Sequence, residues 1–212
     1  MPVVNGYCEV EELAEWNTAS SLTATDNLER AINAASRAID QYCQRHFYQD
    51  GTIASPVARK FVSPCDYRLL KLGAFNDLAS ATLTLKTDSA GDGTFETTWS
   101  ASDYELQPIN PSAGPEPRPY TALYASGSRR FPSATSSGSS ARIEITGIWG
   151  WPAVPQSVNQ ACLILAARMY KRKDSPEGVS GWGDFGFSRV VRTDPDVTAL
   201  LDPYRRYAVL VA

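Results

Sequence analysis

The sequence predicts an α+β fold. A small helical bundle formed by the N- and C-terminal helices, about residues 8–50 and 153–212, holds a β-rich insertion, about 57–150, between its two long helices. Three observations predict it. Two separate runs, 25–48 and 155–173, carry apolar residues at spacings of three and four, the mark of amphipathic helices. Much of the chain between them alternates apolar and polar residues, the mark of half-buried strands. Both long helical runs lie outside that stretch, so the two ends of the chain make one bundle together.

In chain order, VEELAEW (10–16) reads as a short helix, followed by a Ser/Thr-rich turn. Thr25 or Asp26 caps the first long helix, with Glu29 three residues beyond Asp26 as in a capping box. Leu28, Ala31, Ile32, Ala35, Ile39, Tyr42, Cys43 and Phe47 form its core face. Arg30, Asn33, Arg37, Asp40, Gln41 and Gln44 cover the other side, and the helix fades near Tyr48. Strands are expected at 59–63, 81–87, 94–99, 104–107, 120–124 and 142–148. Proline- and serine-rich loops at 108–119 and 127–140 separate them, and loops of that length in a compact domain are usually functional or disordered.

The last of these strands stops at Trp149-Gly150-Trp151-Pro152, because glycine and proline break local structure. Pro155 suits the first turn of the helix that follows. Val158, Ala161, Cys162, Leu165, Ala166 and Met169 make one apolar stripe, and Leu163, Ile164 and Ala167 widen it. A helix apolar on more than one face packs against more than one neighbour. Arg168, Lys171, Arg172 and Lys173 place cations at the negative end of its dipole. A glycine-rich aromatic loop spans 174–193. Asp194 then caps and Pro195 opens a last helix with Val197, Leu200 and Leu201 on its core side, and Pro203 kinks or ends it.

The 212 residues, 43% of them hydrophobic, suffice for one sizeable core and read as a single domain. The net charge of −3 argues against a dedicated nucleic-acid binder, which carries a basic stripe. The N-terminus MPVVNGYCEVEE has neither the basic start nor the apolar run of a signal peptide, and no apolar run is long enough to span a bilayer. A soluble protein made in a cytoplasm is expected. Cys8, Cys43, Cys65 and Cys162 form no CxxC pair and read as reduced thiols, Cys43 and Cys162 being small core residues on helix stripes.

No motif carries catalytic chemistry. Gly181-Trp182-Gly183-Asp184-Phe185-Gly186 matches GxGxxG in form, but a helix precedes it and no helix start follows, the reverse of the dinucleotide context. The run 88–96 resembles a calcium loop, yet the third and twelfth positions are Ala90 and Trp99, so a hairpin turn is the better reading. His46, the single histidine, lies at the end of the first long helix with no nucleophile placed beside it. The cations near the helix ends are solvated charges or contacts to an acidic partner or DNA phosphate. Trp182, Phe185 and Phe187 cannot all bury themselves within a glycine-rich loop. They fold back on the core or pack on a neighbouring subunit. Tyr204, Arg205, Arg206, Tyr207 and Leu210 combine aromatic, basic and aliphatic side chains in the manner of a partner contact. They either leave the bundle after Pro203 or continue the last helix and bury.

Three stretches, LERAINAASRAIDQYCQRHFY, WGWPAVPQSVNQACLILAARMYKRKDSPEGV and TDPDVTALLDPYRRY, resemble the head-tail connector (adaptor) proteins of tailed bacteriophages in order and spacing. Together they cover roughly half the chain. The resemblance implies a structural virion protein of the neck, between capsid and tail, made in the host bacterial cytoplasm, with no cofactor and no reaction. It implies a ring, of twelve copies, beneath the portal protein. That ring extends the channel through which DNA passes without specific binding, and it docks a stopper or tail-completion protein. It also implies contact with the portal through the C-terminal segment, here Tyr204, Arg205, Arg206, Tyr207 and Leu210. The alternatives are a tail-completion or minor capsid protein, or a small hydrolase, for which the chain offers one histidine and no nucleophile elbow.

Overall fold

The computed structural model describes residues 2–17, 25–133, 141–172 and 194–206, and combines four α-helices with antiparallel sheets. The chain divides into two compact units, residues 1–44 with 154–212, and residues 45–153.

The first unit is helical. It holds α1 (Val10–Trp16), α2 (Thr25–Cys43), α3 (Gln156–Arg172) and α4 (Pro195–Leu201). The Glu12 carboxylate of α1 accepts the Glu9 N–H at 2.8 Å, which satisfies one donor that a helix start leaves open. Asp26 lies inside the first turn of α2. Leu28, Ala31, Ile32, Ala35, Ile39 and Cys43 bury one face of α2, as the spacing predicts. Pro155 precedes α3, and its carbonyl accepts the Val158 and Asn159 N–H groups, so it sits one position before the first turn. Val158, Ala161, Cys162, Leu163, Ala166 and Ala167 are buried, and α3 packs against α1, α2 and α4. Its breadth of apolar surface is matched by that number of neighbours.

Two expectations for α2 fail. The helical spacing puts Asp40 on the polar side, but it is 3% exposed. It accepts the Tyr7 hydroxyl proton and pairs with Arg37 at 2.8 Å, which replaces the water a buried carboxylate loses. The helix also stops at Cys43, not near Tyr48. Gln44 takes φ +56°, the left-handed geometry that ends helices, and its side-chain amide donates to the Gln41 carbonyl. His46 is therefore not a helix residue. It belongs to the second unit, with ring centroids 4.9 Å from both Tyr48 and Phe75.

The second unit is built from β1 (Val57–Val62), β2 (Leu69–Lys71), β3 (Thr84–Thr87), β4 (Thr97–Trp99), β5 (Tyr104–Gln107), β6 (Ala122–Ala125) and β7 (Ala141–Gly147). One sheet runs β1-β7-β3-β4 and the other β2-β6-β5, every pair antiparallel. Ile143 and Ile145 of the inner strand β7 face Phe61 and Arg59 of β1 on one side and Thr87 and Leu85 of β3 on the other. Leu70, Leu85, Leu123, Phe131, Ile143, Ile145 and Trp149 belong to one buried cluster shared by both sheets. Each such side chain stabilises the fold by about 2 kcal/mol. Strand β2 escaped the sequence reading, and β6 starts two residues later than the period suggested.

The loop after β3 is a turn built around Asp88. Its carboxylate accepts the Gly91 and Gly93 N–H groups, with the Arg142 guanidinium 3.9 Å away, and both charged side chains are buried. This is the hairpin turn of the sequence reading. Trp149 is fully buried; its indole donates to the Val57 carbonyl at 2.8 Å and the Arg59 guanidinium lies 4.7 Å over its ring. Gly150 follows at φ +102°, where an added Cβ would sit 1.8 Å from the Tyr48 carbonyl oxygen. Cys8, Cys43 and Cys162 are buried and Cys65 is exposed, all four free.

Candidate assembly surface

The described part of the expected partner contact starts at α4. Asp194 caps it by accepting the Asp196 N–H at 3.0 Å, and Pro195 opens it. Arg168 of α3 pairs with the same Asp194 carboxylate at 2.5 Å, so this cation holds α3 to α4 instead of standing free at a helix end. Val197 and Leu201 are buried. A single 3-10 turn, Asp202–Tyr204, follows.

Pro203 does not release the chain at once. The Arg205 N–H donates to the Asp202 carbonyl, and the Arg206 N–H donates to the Cys43 carbonyl at 2.9 Å. That carbonyl is one of those the end of α2 leaves unpaired. The Tyr42 hydroxyl donates to the Asp202 carboxylate at 2.6 Å, while the Arg205 guanidinium lies 5.1 Å over the Tyr42 ring. The hydrogen bond to the Asp202 carboxylate, with burial second, raises the Tyr42 phenol above its ordinary value. Tyr42 therefore stays protonated, as a donor must, throughout the neutral range.

The structure thus seats Arg205 and Arg206 beside the end of α2, with Tyr204 in the 3-10 turn just before them. Tyr207 and Leu210, like Trp182, Phe185 and Phe187 of the aromatic loop, lie outside the described residues. Sequence reasoning passed over other apolar side chains that the fold leaves exposed. Trp16 at the end of α1 is half exposed, and Ile53, Val62 and Ile109 of the second unit are exposed. Strand β1 is a sheet edge, so one of its sides has no strand partner in its sheet. Its alternation, with Ala58, Lys60 and Val62 outward, was the available signal. Among the described residues, no group of three or more His, Cys, Asp or Glu could hold a metal, and no helix is long and apolar enough to cross a membrane.

The fold is of a class found in particle necks. The chain is similar to one in the neck of an empty GTA (gene transfer agent) particle computed with C6 symmetry, with TM-score 0.56 and 20% identity over 100% of this chain and 96% of that one. It is similar also to one in the neck of a native GTA particle computed with C12 symmetry, with TM-score 0.55 and 19% identity over 100% and 96%. At that identity the likeness is one of fold. No family model matches the sequence, and no curated protein matches it.

Proposed function

We propose that this protein is a structural, non-enzymatic component of a phage-like particle neck, a head-to-tail connector. Copies form a ring, of twelve, beneath the portal; the ring extends the DNA channel and docks the next neck or tail protein. The observation that carries this reading is the fold likeness along the whole chain to two neck structures, solved with C6 and C12 symmetry. In this reading the residues 1–44 and 154–212 are the connector's helical core and 45–153 its β-rich insertion. Exposed Trp16, Ile53, Val62 and Ile109 are apolar area for neighbouring copies to cover. Side-to-side contacts between unlike patches close into a ring, as heterologous interfaces do when their rotation allows. In this reading the segment beyond Arg206 and the aromatic loop with Trp182, Phe185 and Phe187 dock partners.

Co-purification tests it. Affinity-tagged protein expressed with the portal, stopper and tail-tube proteins of its own particle is expected to recover the portal. Recovery of tail tube without portal contradicts the reading and favours a tail-completion protein.

A further inference from the structure

Cys8 lies just before α1, and Cys162 lies at the buried centre of α3. Their sulfurs are 3.3 Å apart, with the Cys8 thiol donating to Cys162. The Ser36 hydroxyl is 3.5 Å from Cys162, and the Tyr7 N–H, on the residue before Cys8, donates to that same hydroxyl. The N-terminal strap is thus laid across α2 and α3 with its one thiol aimed at the Cys162 thiol of α3. A cavity of about 470 Å³ opens beside it, lined by Tyr7, Cys8, Glu12, Gln156 and Asn159. Cys8 forms part of its wall, with Cys162 fully buried behind it.

The two thiols are not equivalent. The hydrogen bond that Cys8 gives to Cys162, then burial, raises the Cys8 thiol. The same bond lowers Cys162 and outweighs its burial, with help from Ser36 and the Tyr7 N–H. In this contact Cys8 donates and Cys162 accepts. Thiolates are the form that peroxides oxidise.

We propose that Cys8 and Cys162 are a reversible disulfide site, closed by a peroxide and opened by thiols. One of the two sulfurs, as its thiolate, attacks a peroxide oxygen; the O–O bond breaks, hydroxide leaves and takes a proton to become water, and that cysteine becomes a sulfenic acid. The other thiol then gives up its proton and attacks the sulfenic sulfur, expelling the second hydroxide as water. Two thiols and one hydrogen peroxide become one disulfide and two waters. The sulfurs have only to close to about 2.0 Å. The bond staples the strap to α3 and closes the chain from residue 8 to residue 162, a long loop of the kind whose closure restricts the unfolded chain most.

The test uses the full chain carrying Cys65→Ser, which removes the exposed thiol, with wild type alongside. Folded protein is treated with hydrogen peroxide, alkylated, and mapped by mass spectrometry, and its melting temperature is read with and without dithiothreitol. The expected result is a Cys8–Cys162 linked peptide, loss of two hydrogens in mass, and a melting temperature higher by about 10 °C that dithiothreitol reverses. Recovery of either cysteine as an alkylated thiol or as a sulfinic acid after full treatment, or linkage through Cys43, overturns the proposal.

Discussion

The Arg206 N–H closes the end of α2 by donating to the Cys43 carbonyl at 2.9 Å. The chain therefore stays on the helical unit for three residues beyond Pro203, the point at which its composition suggested departure. A stop after Asp202 removes this bond and the Arg205–Tyr42 contact, and is expected to destabilise the first unit by about 2 kcal/mol in urea denaturation. A stop after Arg206 keeps both. That shorter truncation is expected to melt as wild type does and to fail to join portal-containing heads. Heads joined normally by it would remove the docking role from residues 207–212.

Gly150→Ala is expected to cost about 3 kcal/mol, because the new methyl meets the Tyr48 carbonyl and the backbone sits at φ +102°. Denaturant midpoints measure it, and a change within experimental scatter contradicts the packing described around Trp149.

Asp88 makes the second unit acid-sensitive. Burial pushes its carboxyl up, but the Gly91 and Gly93 N–H groups and the Arg142 guanidinium outweigh burial and hold it below the usual range. A lowered folded value means stability that is present above the unfolded value, about pH 4, and lost as pH falls through the folded one. Asp88→Asn is expected to flatten that acid limb while lowering stability at neutral pH. Urea midpoints from about pH 6 down to about pH 3 check it. An acid limb as steep as wild type would assign the sensitivity elsewhere.

If the proposed ring extends a DNA channel, the net charge of −3 disfavours a tight grip on phosphate. The isolated protein is expected to bind duplex DNA weakly, with binding lost as salt rises to physiological strength. Fluorescence anisotropy reads this directly, and tight binding that persists at high salt contradicts it.

Local chemistry was legible in the sequence and long-range pairing was not. Asp194-Pro195 announces its helix because the cap and the first turn are neighbours in the chain. The end of α2 was hidden for the opposite reason. Phe47 keeps the helical spacing from Cys43, yet it is buried in the second unit, 5.1 Å from Trp151. Gln44 breaks the helix without being glycine or proline. Asp40 looked solvated because its partner Tyr7 lies 33 residues away. Strand β2, three residues long, is too short to show alternation. Tyr204, Arg205 and Arg206 stood out by residue type alone. Tyr42 and Cys43, the partners of Arg205 and Arg206, meet them only once α2 and α4 are packed together.

Copies of this chain are proposed to build a ring in a particle neck. Electron cryomicroscopy of the neck of this protein's own particle tests it most directly. The expected image is a closed ring of twelve copies between portal and tail, each showing the α2–α3–α4 packing and both sheets. A neck that lacks this chain, or holds a single isolated copy, would contradict it.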